Sequence, residues 1–295
     1  MLENLISTFE HYPIYFYGAV AIFSLMIGSF LNVVIYRLPK MMEYGWYQEC
    51  REFLADEVPK KPSRDLKPVS LSKPNSTCPS CGHQIKFYEN IPVLSWLFLK
   101  GKCSQCATRI SVRYPSIEIL TALVGLCVAY HFGASVLTLW VLLLSYGLIC
   151  LIMIDLDHML LPDQITLPLL WLGLLINING AIVPLEQSVI GAVAGYMSLF
   201  SVFWAFKLLT GKEGMGHGDF KLVAVFGAWF GWQLLPLLIL MSSAVGAIVG
   251  IALMVFKNHQ REQAIPFGPY IAIAGWVCLL WGENIWQWYL SQLGM

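Results

Sequence analysis

Ionisable residues set within long apolar stretches are costly, so they are candidates for chemistry. In this 295-residue sequence they gather in two places. One is Ile154-Asp155-Leu156-Asp157-His158-Met159-Leu160-Leu161-Pro162-Asp163, and the other is Gly214-Met215-Gly216-His217-Gly218-Asp219. Two carboxylates brought within a few ångströms cannot both ionise easily; one keeps a proton while the other acts as base. That is what activating a water against a peptide carbonyl requires. Asp155 and Asp219 are the candidate pair. Asp219 follows a Gly-x-Gly-x-Gly run that leaves room for a substrate backbone or a second helix. It also opens an apolar segment, where the positive end of a helix dipole favours the ionised form. Asp219 is therefore expected as the base and Asp155 as its protonated partner.

Other readings of these residues stand beside that one. Asp163, after Pro162 and before an apolar run, reads as a helix cap. Asp157, two residues from Asp155, falls on a different helical face and reads as solvated or supporting. Asp219 can serve as an N-cap alone. Asp155, His158, His217 and Asp219 offer up to four metal ligands, but without a His-x-x-x-His or similar spacing. The glycine run is no nucleotide loop, for it lacks a preceding strand and the full P-loop pattern.

A second constellation is Cys78-Pro-Ser-Cys81-Gly-His followed, after 21 residues, by Cys103-Ser-Gln-Cys106. Each Cys-x-x-Cys can turn tightly enough to aim both sulfurs at one ion, and two such turns complete the tetrahedron that zinc accepts. Four thiolates leave no open position, so the expected work is structural: folding a loop too small to bury a large core. His83 is expected on the surface of the knuckle rather than as a ligand. Between the pairs, Leu94, Trp96, Leu97 and Phe98 make an apolar stretch expected to pack on the membrane face or on the substrate. Cys50, Cys127, Cys150 and Cys278 are scattered singly and carry no expected chemistry.

The elements that must position these residues are membrane helices. The chain is 57% hydrophobic and 12% charged, with a mean hydropathy of +0.65. A spanning helix needs roughly 20 mostly apolar residues, and about eight segments meet or approach that length. They lie near 13–37, 115–131, 135–154, 164–180, 187–209, 220–233, 235–256 and 267–287. The expected class is an all-α polytopic membrane protein, with 1–37 as its first helix, 38–113 as an extramembrane loop domain and 114–295 as the remaining bundle. The first segment lacks a basic n-region and a small-residue cleavage site, so it is expected to stay in the mature protein. The loop is expected to be partly helical near 43–57, then extended or turn-rich past Pro59, Pro62 and Pro68.

Formal charge sums to zero, but its distribution is lopsided. Thirteen of the eighteen Lys and Arg lie from Arg37 to Arg113; the rest, Lys207, Lys212, Lys221, Lys257 and Arg261, fall on the same side of an eight-helix layout. The opposite side carries Glu3, Glu10, Glu186 and Glu283. The positive-inside bias puts both termini outside, and the cysteine loop and both carboxylate clusters at the cytoplasmic face. In that reducing compartment, two disulfides are the weaker reading of the cysteines. The bilayer is the expected surroundings, and no nucleic-acid partner is expected.

With these residues in view, the sequence resembles the bacterial type IV prepilin peptidases, membrane aspartic proteases with a Gly-x-Gly-Asp motif. The resemblance rests on Gly28-Ser-Phe-Leu-Asn-Val-Val-Ile-Tyr-Arg-Leu-Pro39, both cysteine pairs, Asp155 to Asp163, Gly216-His-Gly-Asp219 and Pro266-Phe-Gly-Pro269, in the family's order. It implies that Asp155, seven residues before Pro162, and Asp219 are the catalytic pair. It further implies a bacterial inner-membrane enzyme that cleaves a short basic leader from prepilins and type II secretion pseudopilins at the cytoplasmic face. The same resemblance implies N-methylation of the new terminus, commonly phenylalanine, with S-adenosylmethionine as donor. The long cysteine loop is a feature of the bifunctional members. Pro266 to Pro269 is expected to place the last helix near the site without doing chemistry. Glu43 is a candidate for orienting the donor or amine and equally a solvated loop charge.

Two other function classes fit parts of the sequence. Spans with intramembrane carboxylates and glycine-broken helices suit an ion-coupled transporter, whose carboxylates belong at the bilayer midplane rather than at helix ends. A zinc-knuckle membrane scaffold for pilus assembly would have no use for the aspartates.

Overall fold

The computed structural model describes residues 2–54, 68–212, 214–257 and 265–292. Among them every regular element of more than a bridge is helical. The chain forms two compact units, 1–138 and 139–295.

In the first unit, α1 (Leu2–His11) leads into α2 (Pro13–Leu54), a short α3 (Leu94–Phe98) lies in the cysteine loop, and α4 (Arg113–Phe132) packs along α2. α2 and α4 approach closely because Gly28 has no side chain: a Cβ there would lie 2.7 Å from the Cα of Glu118. Asn32, one turn on, donates from Nδ2 to the carbonyls of Gly28 and Tyr114, both at 3.2 Å. Such small and polar residues hold helices together where lipid is as apolar as leucine. The buried Arg37 turns back to hold the segment after the first span, donating to Ser70 O at 2.9 Å and Pro74 O at 2.7 Å.

The expected end of the first helix near 37 is overrun. α2 continues through Pro39 to Leu54, so Glu43 lies on a helix, and the described part of the helical stretch expected near 43–57 is the tail of the first long element. Pro39 removes one amide donor without halting the helix, and both Leu38 and Pro39 are buried. The turn-rich reading around Pro59 and Pro62 lies outside the described residues, as does Arg261.

The second unit contains α5 (Val136–His158), α6 (Asp163–Ile176), α7 (Leu185–Thr210), α8 (His217–Phe230), α9 (Leu235–Lys257) and α10 (Gly268–Gln292), and α6, α7, α9 and α10 all pack on one central element, α8. Every residue of α8 from Leu222 to Phe230 is buried, as is usual for a helix that is apolar all round. Glycines let α7 lie directly on it: Gly191 opposes Gly227, and a Cβ on Gly195 would lie 2.8 Å from the carbonyl oxygen of Val223. The far end of α8 is clamped. Asn177 donates to Ala228 O and Trp229 O, both at 3.0 Å, and accepts the amide of Ile182 at 3.0 Å. Trp229 Nε1 donates to Leu169 O at 2.9 Å, tying α8 to α6. Each such bond inside a membrane contributes only about 0.6 kcal/mol, but together they fix how far α8 projects and where its N-terminus sits.

Each of the eight segments read from the sequence has its helix. Among the described residues, α2, α4, α5, α7 and α9 are long and apolar enough to cross a membrane. α6 and α8 have 14 residues each, about 21 Å at 1.5 Å per residue, against a hydrocarbon core of about 30 Å. The architecture is that of a polytopic helical membrane protein.

Candidate active site and metal centre

Asp155 sits in the last turn of α5 and Asp219 in the first turn of α8; they are only 5% and 6% exposed. The first residues of a helix carry amides with no intrahelical partner, and each carboxylate takes one of these. Asp219 Oδ2 accepts from Gly216, the residue that caps its own helix, at 3.2 Å. Asp155 Oδ2 accepts from Gly268, the first residue of α10, at 3.0 Å. Asp155 is thus tied to a helix far from it in sequence, and both carboxylates face the positive end of a helix dipole.

Leu161, in the turn between α5 and α6, is wedged between the two glycine segments. A Cβ on Gly218 would lie 2.7 Å from Leu161 Cβ, and one on Gly268 would lie 3.1 Å from Leu161 Cδ1 and 2.6 Å from Asp155 Oδ2. The missing side chains therefore serve the packing of the site itself. That use goes beyond the approach of a substrate or second helix expected of the glycine run. Gly268 bonds a candidate carboxylate directly, more than the positioning role expected of Pro266–Pro269, and the signal for it in the sequence is a glycine opening a helix after a proline.

The neighbouring ionisable residues have different partners. Asp163 is the first residue of α6, with Pro162 in the cap position and no side-chain cap bond. The capping expectation is corrected: the Asp163 carboxylate accepts from Lys221 Nζ at 2.7 and 2.8 Å, joining the starts of α6 and α8. Asp157 and His158 are exposed at the end of α5. His217 lies against the rings of Phe203 and Phe220, tilted to both, with centroids 5.2 and 5.5 Å away. Among the described residues the metal-ligand cluster is the four cysteines, and Asp155, His158, His217 and Asp219 do not form one.

The sulfurs of Cys78, Cys81, Cys103 and Cys106 all lie within 4.8 Å of one another. Cys78 to Cys106 is 3.7 Å and Cys81 to Cys103 is 4.0 Å. A tetrahedral ion about 2.3 Å from each sulfur sets an edge of about 3.8 Å, so the four residues fit a single ion. Each pair closes a small turn, with the amide of Gly82 on Cys78 O at 2.9 Å and that of Ala107 on Cys103 O at 3.0 Å. Backbone amides of Cys81 and Ser80 lower the Cys78 thiol from its ordinary value, and the Thr108 hydroxyl and amide lower Cys106 to about 6. These two shifts favour the thiolate, whereas Cys81 is pushed up to about 12: the His83 amide lowers it, but burial and the neighbouring sulfurs of Cys106, Cys78 and Cys103 outweigh that. His83 is no ligand and is less exposed than expected; it pairs with Glu89 at 3.0 Å. Glu89 also accepts the Lys86 amide at 2.9 Å, and its carboxyl is held down to about 2, chiefly by that amide, then by Ser104 and His83.

Comparison with known proteins places the chain. Residues 22–132 match the family model of the bacterial peptidase A24 N-terminal domain, and 142–251 match that of the type IV leader peptidase family. A protein named prepilin leader peptidase/N-methyltransferase from Aeromonas salmonicida is 56% identical over 281 residues, 95% of this chain and 96% of that protein. The protein of the same name from Pseudomonas aeruginosa is 51% identical over 290 residues, 98% and 99% of the two chains. That from Legionella pneumophila is 43% identical over 281 residues, 95% and 96%. No solved structure matches the chain.

Proposed function

The chain belongs to the type IV leader peptidase family, and from that premise we propose that Asp155 and Asp219 are the catalytic pair with which it removes the leader of prepilins before N-methylating the shortened chain. The observation that carries the assignment is two buried carboxylates, each fixed by a glycine amide at a helix start, with Leu161 packed against the glycine segments of both. One carboxylate takes a proton from water as the water oxygen attacks the scissile carbonyl. The other gives its proton to the oxygen of that carbonyl, and proton return to the leaving nitrogen breaks the C–N bond. Anchoring Oδ2 of each residue keeps the pair oriented before substrate arrives, so that orientation need not be recovered from binding energy.

In this reading α2 and α4 to α10 all cross the bilayer, with the short α6 and α8 leaving the aspartates recessed at the cytoplasmic face of the bacterial inner membrane and both termini outside. A prepilin whose apolar helix lies in the bilayer would present its scissile bond at that face. Type II secretion pseudopilins are substrates of the same kind. The segment 38–113 is a loop domain serving the methyl transfer, and 114–295 is the peptidase. The ion held by Cys78, Cys81, Cys103 and Cys106 is zinc, whose thiolate bonds fold the loop and leave no ligand position open. S-adenosylmethionine supplies the methyl group for the new terminal amine when bound, and no residues are assigned to it.

Incubating the purified chain in liposomes with a prepilin and a methyl-labelled donor tests the reading. It predicts a prepilin shortened by its leader and labelled at the new terminus; an uncut prepilin would contradict it.

A further inference from the structure

We infer that α3 is a membrane-interface anchor, docked on its outer face against the headgroups and upper acyl chains of anionic lipid. The helix begins beside a forced conformation. Val93 has φ 59 and ψ −49, a region that β-branched residues avoid, and its amide donates to Oε2 of Glu118 at 2.7 Å. Glu118 is buried on α4, five residues after its start at Arg113, about 7.5 Å along the axis. A strained residue persists where its surroundings over-determine it, and here the carboxylate fixes the start of α3 at the level of the second turn of α4.

The inner face of α3 is used up within the loop. Trp96 Nε1 donates to Ile110 O at 3.3 Å, and its ring lies where a Cβ on Gly101 would be. The outer face presents Leu94, Leu97 and Phe98, which are 53%, 57% and 83% exposed. They stand at i, i+3 and i+4, one side of a helix. Three large apolar side chains held outward at the height where an adjoining membrane helix enters the bilayer form the apolar half of an interfacial element. The charged half is present too. From 84 to 113 the basic residues are Lys86, Lys100, Lys102, Arg109 and Arg113 against the single acidic Glu89, the sign that anionic headgroups attract.

The inference rests on the membrane placement proposed above, and its test separates the two. A photoreactive p-benzoylphenylalanine replaces Phe98 in the full-length protein, reconstituted without prepilin in vesicles of phosphatidylethanolamine and phosphatidylglycerol. The same probe at Leu94 repeats the measurement, one at Leu123 on the exposed side of α4 reports the span itself, and one at Gln105 in the cysteine turn serves as the aqueous control. After irradiation, mass spectrometry is expected to find lipid adducts at 98, 94 and 123 and none at 105. Adducts at 123 but not at 98 or 94 would overturn the anchor while leaving the membrane reading intact. No adduct at any position would overturn both. Crosslinking at 98 to added prepilin, in place of lipid, would assign the face to the substrate and also overturn the anchor.

Discussion

The amide of Gly268 donates to Oδ2 of Asp155 at 3.0 Å, across 113 residues of sequence. An alanine at 268 would bring a Cβ within 2.6 Å of that oxygen and 3.1 Å of Leu161. The carboxylate must then move, and a displacement of about 1 Å in a reacting group can cost about 100-fold in rate. Gly268→Ala is expected to lower the rate of prepilin cleavage about 10- to 100-fold while insertion into membranes is unchanged. Single-turnover cleavage in liposomes checks it.

Gly218 and Leu161 make a coupled pair. Gly218→Ala alone is expected to slow cleavage, because its Cβ would meet Leu161 Cβ at 2.7 Å beside Asp219. Leu161→Gly alone removes the wedge, its Cβ included, and is expected to slow it also. The double variant restores room for the new methyl group and should lose less than the sum of the two single losses in free energy. A double-mutant cycle on the cleavage rate measures the coupling.

The two cysteine turns share a backbone conformation but not the residue that adopts it. The residue after each second cysteine takes a left-handed conformation, with Gly82 at φ 72 and Ala107 at φ 56. A residue with a Cβ pays about 1–2 kcal/mol there. Ala107→Gly is therefore expected to tighten metal binding by roughly 5- to 30-fold and Gly82→Ala to weaken it by a similar factor. Competition against a chromogenic chelator reads both.

Glu89 provides a pH test. Its carboxyl lies at about 2 in the folded loop, below an unfolded value of about 4.3. The depressed value stabilises the loop above about pH 4, and that contribution is lost as pH falls from there through 2. Glu89→Gln removes it, along with the pairing to His83. Release of bound metal at pH 7 should be faster in the variant than in the parent chain.

Much of this site was legible because its chemistry is carried by side chains that are expensive where they stand. Asp155 and Asp219 drew notice as carboxylates at the ends of apolar runs, and the four cysteines through their spacing. What escaped was carried by backbone or by shape. Gly268 acts through its amide, which no residue type announces, and Leu161 acts by filling a gap that two distant glycines create. Asp163 looked like a cap because Pro162 precedes it, whereas its partner Lys221 is 58 residues away. The first helix was read as ending near 37 because polarity rises there, but a change in polarity marks the edge of a membrane and not the end of a helix, which runs on to Leu54.

The most direct test of the account is leader cleavage by Asp155→Asn and Asp219→Asn, each close in size to the native residue and each inserted in liposomes beside the parent chain. The account predicts that neither variant shortens prepilin above background while both insert and retain their metal. Cleavage by either variant at a substantial fraction of the parent rate would contradict it.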